Sequence, residues 1–364
     1  MSTMQKPFSP ESLKQHLPTL VFILIFAGVA GAFYGYIMAQ IVGRNYSGLL
    51  LVWGAFRGVF VALVVSLLEL TVHRKRVQRT FRSMAFVPAF LLRSVITSWH
   101  LVLALALSHV VFSPEWATFE NWMQRGFMRD FVFASGTALM IQLTLQARRL
   151  VGGRTLRHLL MGRYSRPVNE KRIFVLADIV GFTAMADKLG DQRSLEFVTS
   201  LFLDIDPAIH RNGGTVHNYV GDEVVASWRV RSKAENTRVL RCLYDIFEKV
   251  EDVRAQYLEK FGVAPNLRIG MAAGPVAVGE CGGEKRQVVY IGDTINTAKR
   301  LQDACKPYGV GVMTDADTLA HMDLPDDITA TEMGRTTLRG RETETLMMAL
   351  GTNAGPYSLP ALGN

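Results

Sequence analysis

Three short stretches in the second half of the chain carry polar residues that could do chemistry, and the first ends in Asp178. The run Phe174–Ala177 before it is wholly apolar and does not alternate, which is typical of a strand covered on both faces. A carboxylate at the end of such a strand is costly unless a cation or hydrogen-bond donors meet it. Taken alone, Asp178 is better explained as an ordinary turn or helix N-cap residue.

The second stretch, Val220-Gly-Asp-Glu223, predicts a hairpin whose tight turn is made possible by Gly221. If this hairpin tip lies beside the first strand, Asp178 and Asp222 face each other, and the two carboxylates repel unless a cation lies between them. Two divalent metals would resolve the repulsion, and oxygen ligands favour Mg²⁺ or Mn²⁺ in a two-metal phosphoryl-transfer site. The backbone amides of 179–183, at a helix start, would then hold the phosphates. On its own, Asp222 is equally well explained as a turn residue.

The third stretch runs from Gly292 to Leu301 and predicts a helix that Asp293 or Thr294 could cap. Asn296 and Arg300 are four residues apart on it and therefore lie on one face. An asparagine that orients a ribose and an arginine that stabilises charge on a pentacovalent phosphorus would suit that face. A solvent-facing polar stripe is the alternative.

Charge is distributed unevenly along the chain, whose net charge is +8. The stretches 71–82 and 148–172 contain five and eight Lys/Arg residues, respectively, and one acidic residue between them. The summed charge of these two stretches exceeds the net charge of the whole chain. The remainder is therefore net negative and lacks the basic surface of a nucleic-acid binder. The three cysteines, Cys242, Cys281 and Cys305, show no metal-type spacing and predict free thiols in a reducing compartment.

The first half predicts an α-helical membrane bundle, because each of four apolar stretches is long enough to cross a bilayer. These stretches are Leu17–Val42, Leu49–Val72, Met84–Phe112 and Phe127–Val151, of which the third could be tilted or broken near Ser98. Both basic stretches follow even-numbered spans, so the positive-inside rule places both termini on the inner side of a bacterial-type inner membrane. We therefore expect a cytoplasmic N-terminus at 1–16 and a four-span domain at 17–151.

Five ionisable residues lie at or near membrane depth and are candidates for a function there: Arg57, Glu69, Arg93, His100 and His109. The two histidines are nine residues apart and lie on opposite faces of one helix, so they cannot ligate a single haem between them. Each could still pair with a histidine elsewhere, but packing or hydrogen bonds between helices are favoured over haem binding.

The second half alternates strands and helices after a basic linker at 152–170. We predict strands at Arg172–Ala177, Thr215–Val220, Glu223–Trp228, Asn266–Ala273, Val276–Glu280 and Gln287–Ile291, and helices at Ala184–Leu189, Ser194–His210, Ala234–Lys260 and Thr294–Lys306. The βαββαβ order predicts an α+β, ferredoxin-like domain at 171–351. A flexible tail is expected at 352–364.

Together, the three stretches resemble the class III nucleotidyl cyclases, the adenylate/guanylate cyclase catalytic domains, over about residues 170–350. The resemblance implies two Mg²⁺ or Mn²⁺ ions per active site and a head-to-tail homodimer that takes metal ligands from one protomer and the Asn/Arg pair from the other. It assigns metal binding to Asp178, Ile179 and Asp222, ribose orientation to Asn296, transition-state stabilisation to Arg300, and nucleotide binding to Gly181, Phe182, Thr183, Asn218, Val289 and Arg339. Arg339, in Leu338-Arg-Gly-Arg341, is preferred to Arg341 as the phosphate contact.

Two positions depart from the family pattern, and both would read the purine. Asn218 stands where adenylate cyclases usually have Lys and guanylate cyclases have Glu, and Val289 stands where the family has Asp or Thr. The sequence therefore supports a reaction at the phosphates better than it supports a preference for adenine or guanine.

The resulting hypothesis is a membrane-bound adenylate cyclase that converts ATP to cyclic AMP and pyrophosphate and is regulated through its membrane domain by an unknown signal. The alternatives are a guanylate cyclase and a catalytically inactive nucleotide-sensing module. A diguanylate cyclase is disfavoured, because the helix with Asn296 and Arg300 is present and the double glycine of its hairpin is missing.

Overall fold

The computed structural model describes residues 10–42, 47–72, 84, 86–112, 118–151, 162–283, 286–337, 344–353 and 355–357. The chain divides into two compact units, Met1–Leu156 and Arg157–Asn364. The first part of the predicted linker, 152–161, lies outside the described residues.

The first unit is helical, in agreement with the sequence. Its helices are α1 Pro10–Val42, α2 Ser47–Val72, α3 Phe86–Phe112, α4 Phe119–Arg125 and α5 Phe127–Val151. Helix α3 is continuous through Ser98, so the break considered there does not occur. The short helix α4 lies where the sequence predicts a loop, and the hydroxyl of Thr118 caps it by accepting from the Asn121 backbone N–H.

In the described part of the chain, three segments are long and apolar enough to cross a membrane: Thr19–Gln40, Leu51–Glu69 and Pro88–Phe112. The fourth predicted span is a 25-residue helix, α5, but it does not reach that apolarity. The reason is its polar content, which includes Arg129, Asp130, Gln142 and Gln146. As a membrane span, α5 therefore remains a prediction.

Glycines allow α1 and α2 to pack in backbone contact. A Cβ on Gly31 would lie 2.2 Å from the carbonyl oxygen of Gly54, and one on Gly58 would lie 2.2 Å from that of Ala27. Small residues at helix crossings are typical of membrane bundles, where packing rather than the hydrophobic effect joins helices. The glycine positions therefore fix which faces of α1 and α2 meet.

The second unit is built around one mixed sheet, as the sequence predicts. Its strands are β1 Val168–Ile179, β2 Thr215–Val220, β3 Glu223–Arg229, β4 Leu267–Cys281, β5 Gln287–Ile291, β6 Val312–Asp315, β7 Ile328–Thr337, β8 Glu344–Thr352 and β9 Gly355–Pro356. Its helices are α6 Phe182–Leu189, α7 Asp191–Arg211, α8 Lys233–Phe261, α9 Asp293–Tyr308 and α10 Ala316–Leu319. The strands follow the order β2-β3-β1-β4-β6-β8-β7, with β5 paired to β4 and β9 paired to β8.

Two segments differ from the sequence expectations. The predicted strands Asn266–Ala273 and Val276–Glu280 form the single strand β4, because the Gly274-Pro275 dipeptide does not make a turn. The absence of a side chain at Gly274 allows α9 to pack closely against β4, since a Cβ there would lie 2.5 Å from Oγ1 of Thr294. The other segment is the start of the expected tail, where Gly355–Pro356 pairs with β8.

Both faces of the central strand β1 are covered, which explains its lack of alternation. Ile173 and Val175 pack in the cluster formed with α7 and α8, whereas Phe174 and Leu176 pack in the cluster that includes α9. Helix α9 approaches β4 closely at Gly270, where a Cβ would lie 2.0 Å from the carbonyl oxygen of Ala298. The sheet thus fixes α9 against the same face of β1 that carries Asp178.

Candidate active site

Asp178 lies near the end of β1 with 4% of its surface exposed. It is in register with Glu223 on β3 and with Arg268 on β4. Arg268 donates a hydrogen bond from Nε to Oδ2 of Asp178 over 2.7 Å and forms an ion pair with it. The buried carboxylate therefore has a cation as its partner, as burial of a charge requires.

Asp222 occupies the turn between β2 and β3, where the preceding Gly221 has a φ of 62° that favours glycine. Its carboxyl group lies within hydrogen-bonding reach of that of Asp178. Burial, followed by the hydrogen bond and negative charge of Asp178, raises the pKa of Asp222 to about 6. The structure thus brings together the two carboxylates that the sequence singled out.

The chain leaves this strand end through a turn that starts α6. The Val180 N–H is taken by the Asn266 carbonyl at 3.0 Å, and Gly181 follows with a φ of 69° as the N-cap residue. No side chain caps the helix, so the first-turn amides that include Phe182 and Thr183 have no side-chain acceptor. Such amides, with the positive end of the helix dipole, suit an anion.

Helix α9 presents the other predicted pair. Asn296 is exposed and makes no hydrogen bond with the described residues of its own chain, whereas Arg300 is half-buried and forms an ion pair with Asp293 at 3.5 Å. The capping expectation for Asp293 and Thr294 is wrong, because Gly292 is the N-cap residue and no side chain caps the helix. Asp293 lies inside the first turn, where its Oδ2 accepts a 3.3 Å hydrogen bond from Oγ1 of Thr297.

The two predicted pairs are not joined to each other by polar contacts. In the described ranges, no hydrogen bond or ion pair links Asn296 or Arg300 to Asp178 or Asp222. Arg339, the predicted phosphate contact, lies outside the described residues. That the two pairs belong to separate half-sites of a dimer stays a prediction.

The two positions predicted to read the purine lie on strands that approach each other. Asn218 is exposed on β2 beside a bulge, and Val289 is half-buried on β5. Their chain neighbours His217 and Tyr290 are in contact, with their rings tilted and the centroids 4.3 Å apart. The contact brings β2 and β5 close together at this point.

The carboxylate pair suits a divalent metal in its donor chemistry. Both side chains offer oxygen atoms, which Mg²⁺ and Mn²⁺ prefer, and burial together with the neighbouring Asp178 carboxyl group raises the pKa of Asp222. In the part of the chain that is described, no group of three or more His, Cys, Asp or Glu side chains could hold a metal. A metal here would therefore need further oxygen ligands, such as the backbone carbonyl of Ile179 and the substrate's phosphates.

The sequence interpretation missed two residues at this site. Arg268 is the cation beside Asp178, and Lys299 joins α9 to β3 by donating to Oε2 of Glu223 over 2.6 Å. Arg268 could have been noticed as the one charge in the otherwise apolar start of β4. Lys299 lies between Asn296 and Arg300, but its partner depends on how α9 packs.

The model of the adenylate and guanylate cyclase catalytic domain matches residues 167–350, which is half of the chain. The chain belongs to this family. All four of the residues that the sequence singled out, Asp178, Asp222, Asn296 and Arg300, fall within the matched range. The cyclase domain thus coincides with the sheet unit, and the chain is a nucleotidyl cyclase.

Comparisons with individual proteins agree with the cyclase family. Adenylate cyclase 2 of Rhizobium meliloti (strain 1021) is 29% identical over 343 residues, which is 93% of this chain and 92% of that protein. Adenylate cyclase 1 of the same organism is 26% identical over 176 residues, or 46% of this chain and 26% of the relative. The structure of a bacterial light-regulated adenylyl cyclase shares the fold at 19% identity, with a TM-score of 0.51 over 60% of this chain and 64% of the solved chain.

Proposed function

We propose that the chain is a membrane-bound adenylate cyclase that converts ATP to 3′,5′-cyclic AMP and pyrophosphate at a homodimer interface. The observation that carries this proposal is the pairing of the buried Asp178 with Asp222, in a chain whose Asn296 is exposed and whose Arg300 pairs with Asp293. ATP is preferred to GTP because the relative that matches over nearly its whole length is named an adenylate cyclase.

In the proposed reaction, the ribose 3′-hydroxyl attacks the α-phosphorus in line, the bond to the β-phosphate breaks, and pyrophosphate leaves. Asp178 and Asp222, with the Ile179 carbonyl, would hold two Mg²⁺ or Mn²⁺ ions, which supply activation of the hydroxyl and neutralisation of the phosphates. The free amides at the start of α6 would orient the triphosphate. Much of the acceleration then comes from positioning and charge stabilisation.

The partner protomer would supply Asn296 and Arg300. Asn296 is exposed and makes no hydrogen bond with the described residues of its own chain, so it is available to orient a ribose across an interface. Arg300 needs only to exchange its 3.5 Å ion pair with Asp293 for the charge that develops on the α-phosphate. A two-fold arrangement of two such chains would generate two equivalent sites.

The base would be bound between β2 and β5. Asn218 can donate to or accept from a purine edge, but Val289 can do neither. This pair therefore gives little discrimination, and a guanylate cyclase remains the second candidate because both family activities use the same phosphate machinery.

The helical unit would anchor the enzyme in a bacterial-type inner membrane with the cyclase unit in the cytoplasm. Three helices of suitable length and apolarity support the anchor, and the basic stretches at 71–82 and 148–172 support the orientation. We assign 17–151 to this domain, 152–170 to the linker and 171–351 to the catalytic domain. Changes in dimer geometry, transmitted through the linker, would regulate a site that one protomer cannot complete.

The deciding experiment supplies the purified full-length chain with ATP or GTP, in the presence of Mg²⁺ or Mn²⁺, and identifies the product by mass spectrometry. We expect cyclic AMP from ATP at a higher kcat/KM than cyclic GMP from GTP, and loss of both products in Asp178→Asn. Faster formation of cyclic GMP would make the enzyme a guanylate cyclase. If neither nucleotide is cyclised, the chain is an inactive nucleotide-sensing module.

A further inference from the structure

The helical unit encloses a cavity of about 500 Å³ among α1, α2, α3 and α5. This volume lies in the range of small-molecule sites, which are mostly apolar with a few placed polar groups. Charged residues at membrane depth are costly and mark functional positions. Here they line the cavity at two separate places, which we call the Arg57 end and the Arg93 end after the arginine at each.

The Arg57 end is organised around the buried carboxylate of Asp130. Tyr34 donates its hydroxyl hydrogen to Asp130, and Trp122 donates from Nε1 over 3.0 Å. Arg129 donates to the Tyr34 hydroxyl oxygen over 2.8 Å, and Arg57 lies 3.8 Å from the carboxylate. Two arginines therefore share one acidic residue, which leaves this end with one excess positive charge.

The Arg93 end is electrically balanced and joined by hydrogen bonds. Arg93 forms a 3.6 Å ion pair with Glu69, which also accepts from Oγ1 of Thr97 over 2.8 Å. Gln142 donates to the same Thr97 oxygen over 2.8 Å and accepts from Ser94 over 3.1 Å. This cluster ties α2, α3 and α5 together and has no excess charge to offer an ion.

The wall between the two ends is apolar. Its side chains come from α2, α3 and α5 and include Val61, Val65, Leu101, Leu105, Ala134, Ala138 and Ile141. Arg57 and Glu69 are twelve residues apart on α2, which is roughly 18 Å at 1.5 Å per helical residue. A bilayer's hydrocarbon core is about 30 Å thick, so one leaflet's acyl chain covers roughly 15 Å. The apolar wall thus has about the length that one acyl chain covers in a bilayer leaflet.

Arg57 has hydrogen-bonding capacity left for a ligand. Its Nε donates to Oγ of Ser108 over 3.2 Å, but its contact with Asp130 is too long for a hydrogen bond. A guanidinium has five N–H donors in a planar fork that matches a carboxylate. The Arg57 end therefore suits an anionic, two-oxygen head group.

We propose that this cavity binds a single-chain amphiphilic carboxylate of the fatty-acid class, with its head at Arg57 and its chain along the apolar wall towards Arg93. The excess positive charge at the Arg57 end favours an anionic head group. The length of the apolar wall favours a long unbranched chain. A single cavity has room for one chain and not for the two chains of a phospholipid. This binding site is independent of the proposed cyclase reaction, because it lies wholly within the helical unit.

The test measures binding of tritiated palmitate to the full-length chain in phosphatidylcholine nanodiscs. We expect saturation at one palmitate per chain, with weaker binding of octanoate, which is too short, and of hexadecanol, which lacks the charge. Arg57→Gln should weaken palmitate binding by about tenfold or more, because it removes the charged donors that would pair with the carboxylate. Ala138→Phe fills the middle of the cavity and should abolish saturable binding.

The matched control is Ala106→Phe, the same substitution on α3 at a residue outside the cavity lining, which should bind palmitate like the wild type. Equal binding by Ala138→Phe and Ala106→Phe would overturn the proposal. Equal affinity for hexadecanol and palmitate would also overturn it, as would displacement of palmitate by phosphatidylglycerol in the nanodisc. If Ala138→Phe does not fold, Arg57→Gln and the comparison of octanoate with palmitate decide the question.

Discussion

Arg268 lies directly opposite Asp178 in the β1–β4 strand pair, and its Nε donates a hydrogen bond to Oδ2 of that carboxylate over 2.7 Å. The chain thus places one of its own cations at a carboxylate that is proposed to bind metal. Because Asp222 lies within hydrogen-bonding reach of Asp178, Arg268 offsets the repulsion between two acidic groups in a partly buried site.

We expect Arg268 and Asp178 to be coupled in stability. Arg268→Gln should lower the free energy of unfolding by about 2 kcal/mol, because it leaves Asp178 buried with fewer partners, and this corresponds to about 4–8 °C in Tm. In an Asp178→Asn background, the same substitution should cost clearly less. Thermal unfolding of the four proteins, in detergent and without nucleotide, measures this coupling. Additive effects would show that the contact is energetically unimportant.

Asn296 should matter for rate and not for stability. It is exposed and unbonded within the described chain, so Asn296→Ala should leave Tm unchanged while it lowers kcat by about 10²–10³-fold, the usual cost of removing one transition-state contact. Asp303→Ala, at an exposed position on the same helix, is the matched control and should change neither quantity. Comparable activity in the two variants would remove Asn296 from the active site.

Nucleotide preference should respond to Asn218 and Val289 together. The double variant Asn218→Lys, Val289→Asp restores the groups with which adenylate cyclases of the family usually read the purine. It should raise the ratio of kcat/KM for ATP over GTP by at least about tenfold, because a site that hydrogen-bonds its substrate discriminates strongly. Asn218→Glu should shift the ratio towards GTP. An unchanged ratio in both variants would place the base outside the β2–β5 region.

His217 should make the cyclase unit sensitive to mild acid. Burial, followed by the positive charge of Arg172, lowers its pKa to about 3 from a normal value of 6.5. The folded state therefore binds fewer protons than the unfolded chain, so stability is complete above pH 6.5 and falls as the pH drops towards 3. The slope contributed by one such group is at most about 1.4 kcal/mol per pH unit.

His217→Gln should remove this component of the pH dependence of Tm between pH 6.5 and 5. Asp222, whose pKa is raised, acts in the opposite direction, since its contribution is present at low pH and lost as the pH rises through about 6. It is present in both proteins, so the difference between them isolates His217. Identical pH profiles would show that His217 is protonated without cost in the folded state.

The sequence predicted the parts of the fold that depend on local patterns. Asp178 and Asp222 were recognisable because an apolar strand ends at one and a glycine turn presents the other, and the strand order then places them together. Arg268 stands out as a charge in an apolar strand, but its contact with Asp178 was not predictable, since it depends on the register of strands 90 residues apart in sequence. Likewise, Gly274-Pro275 has the composition of a turn, yet both residues lie in the β1–β4 strand pair, opposite Arg172 and Lys171.

The number of membrane spans was predicted less completely than the cyclase fold. Hydropathy averages the polarity of the residues in a segment and takes no account of the hydrogen bonds that those residues make. Helix α5 contains Asp130 and Gln142, which lower its apolarity, yet both make hydrogen bonds to other helices of the unit. Polar groups that are paired inside a bundle cost far less than groups exposed to lipid. The number of spans therefore depends on contacts that composition alone does not contain.

The central claim is that one active site combines Asp178 and Asp222 of one protomer with Asn296 and Arg300 of the other. The most direct test co-expresses two differently tagged full-length variants, Asp178→Asn and Asn296→Ala, and assays the doubly purified heterodimer with ATP and Mn²⁺. Each variant alone should form little or no cyclic AMP. In the heterodimer one of the two sites is intact, so we expect about half of the wild-type activity per dimer. A heterodimer that forms but is no more active than either variant alone would contradict the shared site.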